Sequence, residues 1–185
     1  MATTKHTIVV LVEDRPGVLN RVVSLFRRRG FNIESLAVGH SETPGLSRMI
    51  IVVDGATTAV EQVRKQLDKL IEVVKVTDIS EDNLVARELA LIKVESGPST
   101  RSEIMQITDI FRANILDVAS DSIVIEVTGD DDKVGSLIEL LRGFGIIELA
   151  RTGRIAMTRG TIGPLLKQGI SKQRKSNGQR VADSR

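Results

Sequence analysis

The residues best suited to chemistry lie between Val12 and Leu36, in the stretch VEDRPGVLNRVVSLFRRRGFNIESL. Asp14, Arg15, Pro16 and Gly17 form a turn signal that runs straight into Val18 and Leu19. A helix starting there leaves its first backbone N–H groups unpaired, and its dipole is positive at that end. Such donors suit a carboxylate or a phosphate. Downstream, Asn32 and Ile33 open the next extended segment, and the Asn32 amide both donates and accepts hydrogen bonds. If Asn32 lies close to the turn, it is placed to hold the two ends of a free amino acid. The same residues also read as an ordinary turn and an ordinary loop asparagine, and their chemistry alone does not separate the two readings.

The elements that position these residues follow from periodicity. An apolar run predicts a strand over 7–13, and Val18, Leu19, Val22, Val23, Leu25 and Phe26 give one greasy face to a helix over 17–29. Asp14 is the candidate N-cap, Arg27, Arg28 and Arg29 suit the negative end of the dipole, and Gly30 is the stop. Strands over 33–39 and 47–53, a helix over 58–70 and a strand over 73–78 follow. Thr58 and Glu61 have capping-box spacing, and Val60, Val63, Leu67 and Leu70 make the stripe.

After a link over 80–85 the pattern is written again: strand 88–95, helix 100–111, strands 115–119 and 122–128, helix 132–142 and a last strand over 146–157. Thr100 and Glu103 repeat the capping-box spacing. An offset of 82 positions pairs Val12 with Val94, Pro16 with Pro98, and Asn32-Ile33 with Asn114-Ile115. Repetition at this scale predicts an α+β fold of two ferredoxin-like βαββαβ domains in tandem. Each would hold four antiparallel strands with two helices on one face. The expected divisions are 1–80, 81–160 and a flexible basic tail over 161–185.

The second copy departs at the turn. Ser99, Thr100 and Arg101 stand where the first has Gly17, Val18 and Leu19, so the second domain reads as structural or partner-binding. No catalytic set is expected, because no nucleophile-elbow motif frames any Ser and Cys is absent. His6 and His40 belong to no metal-ligand spacing, and both are expected in solvated positions. Asp130, Asp131 and Asp132 lack the alternating ligands of a calcium loop and read as a turn entering a helix cap. Neither a dinucleotide fingerprint nor a phosphate-binding loop is present.

Across 185 residues, 41% are hydrophobic and 27% charged, the balance of a water-soluble globular chain. Four Phe with no Trp or Tyr make the cores aliphatic. The opening MATTKHTIVV carries neither a long apolar run nor an Arg-rich presequence, and no stretch is long enough to span a membrane, which implies a cytoplasmic protein. The net charge of +2 hides an asymmetry: the last 25 residues hold a surplus of five cations, leaving −3 for the rest.

Asp14-x-Pro16-Gly17-Val18-Leu19, Val22, Leu25-Phe26 and Gly30-x-Asn32-Ile33 together resemble the ligand loop of an ACT domain. The run from Gly30 to Leu36 followed by Leu46-Ser47-Arg48-Met49 resembles, more narrowly, the small regulatory subunit of acetohydroxyacid synthase. That likeness extends to Thr158-Arg159-Gly160. It implies a non-catalytic chain whose partner is a large subunit carrying thiamine diphosphate, Mg and FAD. It further implies activation of that partner, feedback inhibition by valine or another branched-chain amino acid, and a homodimer through the N-terminal domains. The implied effector residues are Asp14, Gly17, Val18, Leu19, Asn32 and Ile33, in a pocket formed where two N-terminal domains pair. Val18, Leu19 and Ile33 suit a branched aliphatic side chain.

A ferredoxin-like RNA-binding module with a basic tail is the alternative, favoured by a pI near 9.1. Against it, single-stranded RNA on such sheets needs aromatic side chains for stacking, and this chain has few. A free-standing enzyme is disfavoured by the missing acid, base and nucleophile.

Overall fold

Residues 4–160 are described by the computed structural model. The first six elements are β1 (Thr4–Glu13), α1 (Val18–Arg28), β2 (Ile33–His40), β3 (Leu46–Gly55), α2 (Thr57–Leu67) and β4 (Val73–Asp78). Their strands form an antiparallel sheet in the order β2-β3-β1-β4. The next seven are β5 (Leu84–Glu95), α3 (Arg101–Ile110), β6 (Asn114–Val118), β7 (Ser122–Gly129), α4 (Asp131–Arg142), β8 (Ile146–Arg151) and β9 (Ile155–Thr158). Here the order is β6-β7-β5-β8, the same permutation, so the repeat legible in the sequence is a repeat of topology. The fold is two ferredoxin-like units in tandem.

Burial explains the elements. Alternation along β1 sends Ile8, Val10 and Val12 to the helix side, where they meet Val22, Leu25 and Phe26 of α1 and Val60, Val63 and Leu67 of α2. Each such side chain, fully buried, contributes about 1.5–3 kcal/mol. The second unit repeats this with Ile92, Val94, Ile104, Ile125, Leu137 and Leu141. All four Phe belong to these helix-side cores: Phe26 and Phe31 meet edge to face in the first, Phe111 and Phe144 pack on the second. A third cluster lies on the other face of the first sheet, where Val9, Ile50 and Ala37 meet Leu84 and Ala86 of β5 and Ala156 of β9. It joins the two units.

Several expectations need correction. The strand expected over 146–157 is two strands: β8 pairs with residues 90–94 of β5 and β9 with residues 84–87. Thr152 still bonds Leu89, but the ladder shifts by a residue beyond it, and Gly153 swings onto β2. β5 starts at Leu84, inside the expected link. His6 is buried, not solvated: alternation puts it on the inner face with Ile8, and its Nδ1 lies 3.0 Å from Asp78 Oδ2. Neither capping box forms, since Ala56 caps α2 and Thr100 makes no side-chain cap bond to α3. Asp130 does cap α4, its carboxylate accepting from the Lys133 N–H at 2.9 Å. The tail expected over 161–185 lies outside the described residues.

Candidate functional site

Gly17 is the pivot of the turn. Its φ of 85° is left-handed, a region that costs other residues strain, and it is the N-cap of α1. No side chain caps this helix, and no atom lies within 4 Å of where a Cβ on Gly17 would stand. The N-terminus of α1 therefore opens outward; the Val18 N–H donates to the Arg15 carbonyl at 3.4 Å, which leaves the next N–H groups, those of Leu19 and Asn20, for an anion. No acidic residue occupies the first turn, and Arg27 and Arg28 occupy the last, so the dipole is left uncompensated only at the N-terminal end. Val18 is 4% exposed and packs its side chain into the core. Leu19, 42% exposed, is the apolar side chain that faces out.

Asp14 is not the helix cap. Its backbone N–H donates to the Gly45 carbonyl at 2.9 Å, and its carboxylate accepts from Ser47 Oγ at 3.2 Å. The other carboxylate oxygen stands 3.3 Å from Nδ1 of His40, the last residue of β2. Asp14 thus ties the turn to the β2–β3 hairpin. Neither His40 nor Ser47 carried a sequence signal for this, because their proximity depends on the β1–β3 register.

The expected closeness of Asn32 to the turn fails within one chain. Ile33 pairs with Val53 on β3, whereas Glu13, next to Asp14, pairs with Leu46. Those partners are seven residues apart on β3, about 23 Å at a strand rise of about 3.3 Å per residue. Helix α1 runs back along the sheet, so the segment after it starts at the opposite end. Asn32 is exposed there and Ile33 half-buried. Between Ile33 and Ser35 the register shifts, which makes Glu34 a bulge that re-aims the start of the strand. β2 itself is an outer strand of the sheet, with β3 as its one neighbour in the ladder.

Residues 8–75 match the family model described as the AHAS small subunit-like ACT domain, and residues 87–160 match that of the small subunit of acetolactate synthase. The chain belongs to the acetolactate synthase small subunit family. It is 62% identical over 156 residues to the probable acetolactate synthase small subunit of Archaeoglobus fulgidus, covering 84% of this chain and 98% of that one. It is 54% identical over 158 residues to the acetolactate synthase small subunit of Bacillus subtilis, covering 85% and 92%. The crystal structure of the acetolactate synthase small subunit from Thermotoga maritima superimposes with a TM-score of 0.79 at 47% identity, covering 86% of this chain and 99% of that one. Family membership gives no support to the RNA-binding alternative, and the Phe side chains that stacking would need are packed in the cores. Among the described residues, no three His, Cys, Asp or Glu are placed to hold a metal ion, and no helix is long and apolar enough to cross a membrane.

Proposed function

We propose that this chain is a cytoplasmic, non-catalytic regulatory subunit. It raises the turnover of a large catalytic chain carrying thiamine diphosphate, Mg and FAD, and makes that chain subject to feedback inhibition by valine or another branched-chain amino acid. Residues 1–80 serve as the amino-acid-binding domain and 81–160 as its companion. The effector residues are Asp14, Gly17, Val18, Leu19, Asn32 and Ile33, divided between two copies of the chain.

The observation that carries this reading is the placement of the two half-sites at opposite ends of an outer strand. An outer strand is a template for pairing. If two copies pair β2 to β2 about a two-fold axis, the strands run antiparallel and the contact is isologous. Ile33 of one copy then faces the His40 end of the other, and His40 stands against Asp14. The separation of about 23 Å within one chain becomes adjacency across two chains, with two equivalent sites per dimer. At each, the α1 N–H groups take the effector carboxylate. Asp14 or the partner's Asn32 carbonyl takes the ammonium, and Leu19 with the partner's Ile33 takes the branched side chain. Linkage then requires that valine bind better to the assembly state in which the catalytic chain is slower.

The test titrates purified catalytic chain with this chain and measures acetolactate formation with and without L-valine. Turnover should rise to a plateau and fall again with L-valine. Equal turnover with and without this chain, across a saturating titration, overturns the reading.

A further inference from the structure

Beyond Ile33, Glu34 is linked to the second unit through Lys5 of β1, and the next residues of β2 meet that unit directly. Glu34, in the bulge, lies 2.5 Å from Lys5 Nζ, and the same ammonium is 3.7 Å from Asp131 Oδ2 on α4. The other oxygen of Asp131 is 3.1 Å from Arg151 of β8, which also pairs with Glu88 of β5. Ser35 Oγ accepts from the Arg154 backbone N–H at 2.7 Å. Leu36 is covered by Gly153: a Cβ there would overlap the Leu36 carbonyl and stand 2.9 Å from the Ala37 nitrogen. Only glycine allows this approach, and it is reached because the β8–β9 ladder breaks at that point.

We propose that Gly153 and Arg154, together with Asp131, clamp β2 and so position Asn32 and Ile33, making the second unit a determinant of effector affinity. This rests on the effector reading above and deepens it. The two kinds of contact contribute differently. Lys5 is 48% exposed and a cavity of about 420 Å³, open to solvent, lies beside it, so the ion chain is screened and orients more than it stabilises. The Gly153 contact and the Ser35 bond are the tight ones. Ala37, next along, packs against the apolar cluster that joins the units and includes Ala156 of β9, so a shift of β2 disturbs that cluster. These are positioning residues, since none belongs to the proposed effector set.

The test uses the full-length chain and L-valine as probe, with affinity read by calorimetry and backbone motion by hydrogen exchange. Ser35→Ala should weaken binding about two- to thirtyfold, the range of measured couplings through such contacts. Ser35→Thr, which keeps the hydroxyl, should restore it, and the melting midpoint without L-valine should separate this from unfolding. Lys5→Ala and Asp131→Asn should combine non-additively in affinity. L-valine should slow exchange of the amides at 152–155. Unchanged affinity in Ser35→Ala and Asp131→Asn, with no change in exchange at 152–155, overturns the clamp. In that case a loss of binding in Gly17→Asp leaves the effector site standing. If Gly17→Asp also binds L-valine normally, the effector reading fails and the clamp with it.

Discussion

Replacing Gly17 by Asp puts a carboxylate where the account places the effector's own. No neighbouring atom stands within 4 Å of a Cβ at this position, so the new side chain has room and projects into the space in front of α1. Two costs must be kept apart. Leaving glycine at a φ of 85° costs about 1–2 kcal/mol of backbone strain, less for Asp or Asn, which visit this region. The charge costs more: two carboxylates about 4 Å apart at an effective dielectric near 20 repel by about 4 kcal/mol. At about 1.4 kcal/mol per decade, that corresponds to roughly a thousandfold loss of L-valine affinity. Gly17→Asn carries the same backbone strain without the charge, so its affinity should fall far less. Calorimetry with both variants, beside thermal melts, separates the terms. Activation of the catalytic chain should persist in both, giving feedback resistance with activation intact. If folded Gly17→Asp binds L-valine with unchanged affinity, the turn is an ordinary turn and the pocket lies elsewhere.

Asn32→Ala should weaken L-valine binding by the smaller amount of one amide contact to a charged group, about 1–3 kcal/mol by calorimetry, again with activation retained. Truncation after Gly160 should leave a chain with a cooperative melt and an intact effector response, because every proposed effector residue precedes Glu34. Glu61 accepts a hydrogen bond from Arg64, which holds its carboxyl far below the usual range, to about 2. A depressed carboxylate contributes stability above its ordinary pKa and loses it as pH falls through the folded value. NMR titration should find Glu61 ionised until about pH 2 in the native chain, and Arg64→Gln should return it toward the ordinary carboxylate range.

Much of this was legible in the sequence because it is local or periodic. The stripe from Val18 to Phe26 gave α1, and Gly30, at a φ of 72°, ended it. The offset of 82 anticipated the matching strand orders, and even the bulge recurs, between Ile33 and Ser35 and between Ile115 and Asp117. What was missed depends on register between distant segments. Asp14 accepts from Ser47 and stands beside His40 instead of capping its helix, because the hairpin passes close to the turn. Asn32 looks near Gly17 in sequence, yet an intervening helix carries the chain to the far end of the sheet. Gly153 gave no signal at all, since its reason is the backbone of a strand more than a hundred residues earlier.

In the proposed dimer each effector site takes its turn from one chain and its Asn32 from another. A mixed dimer of Gly17→Asp and Asn32→Ala chains, isolated through two different affinity tags, tests this directly by calorimetry with L-valine. Shared sites place both lesions in one pocket and leave the other intact, so binding returns at one site per dimer with near-native affinity. If both halves of each site come from the same chain, every pocket carries a lesion, no native-affinity binding returns, and the account is contradicted.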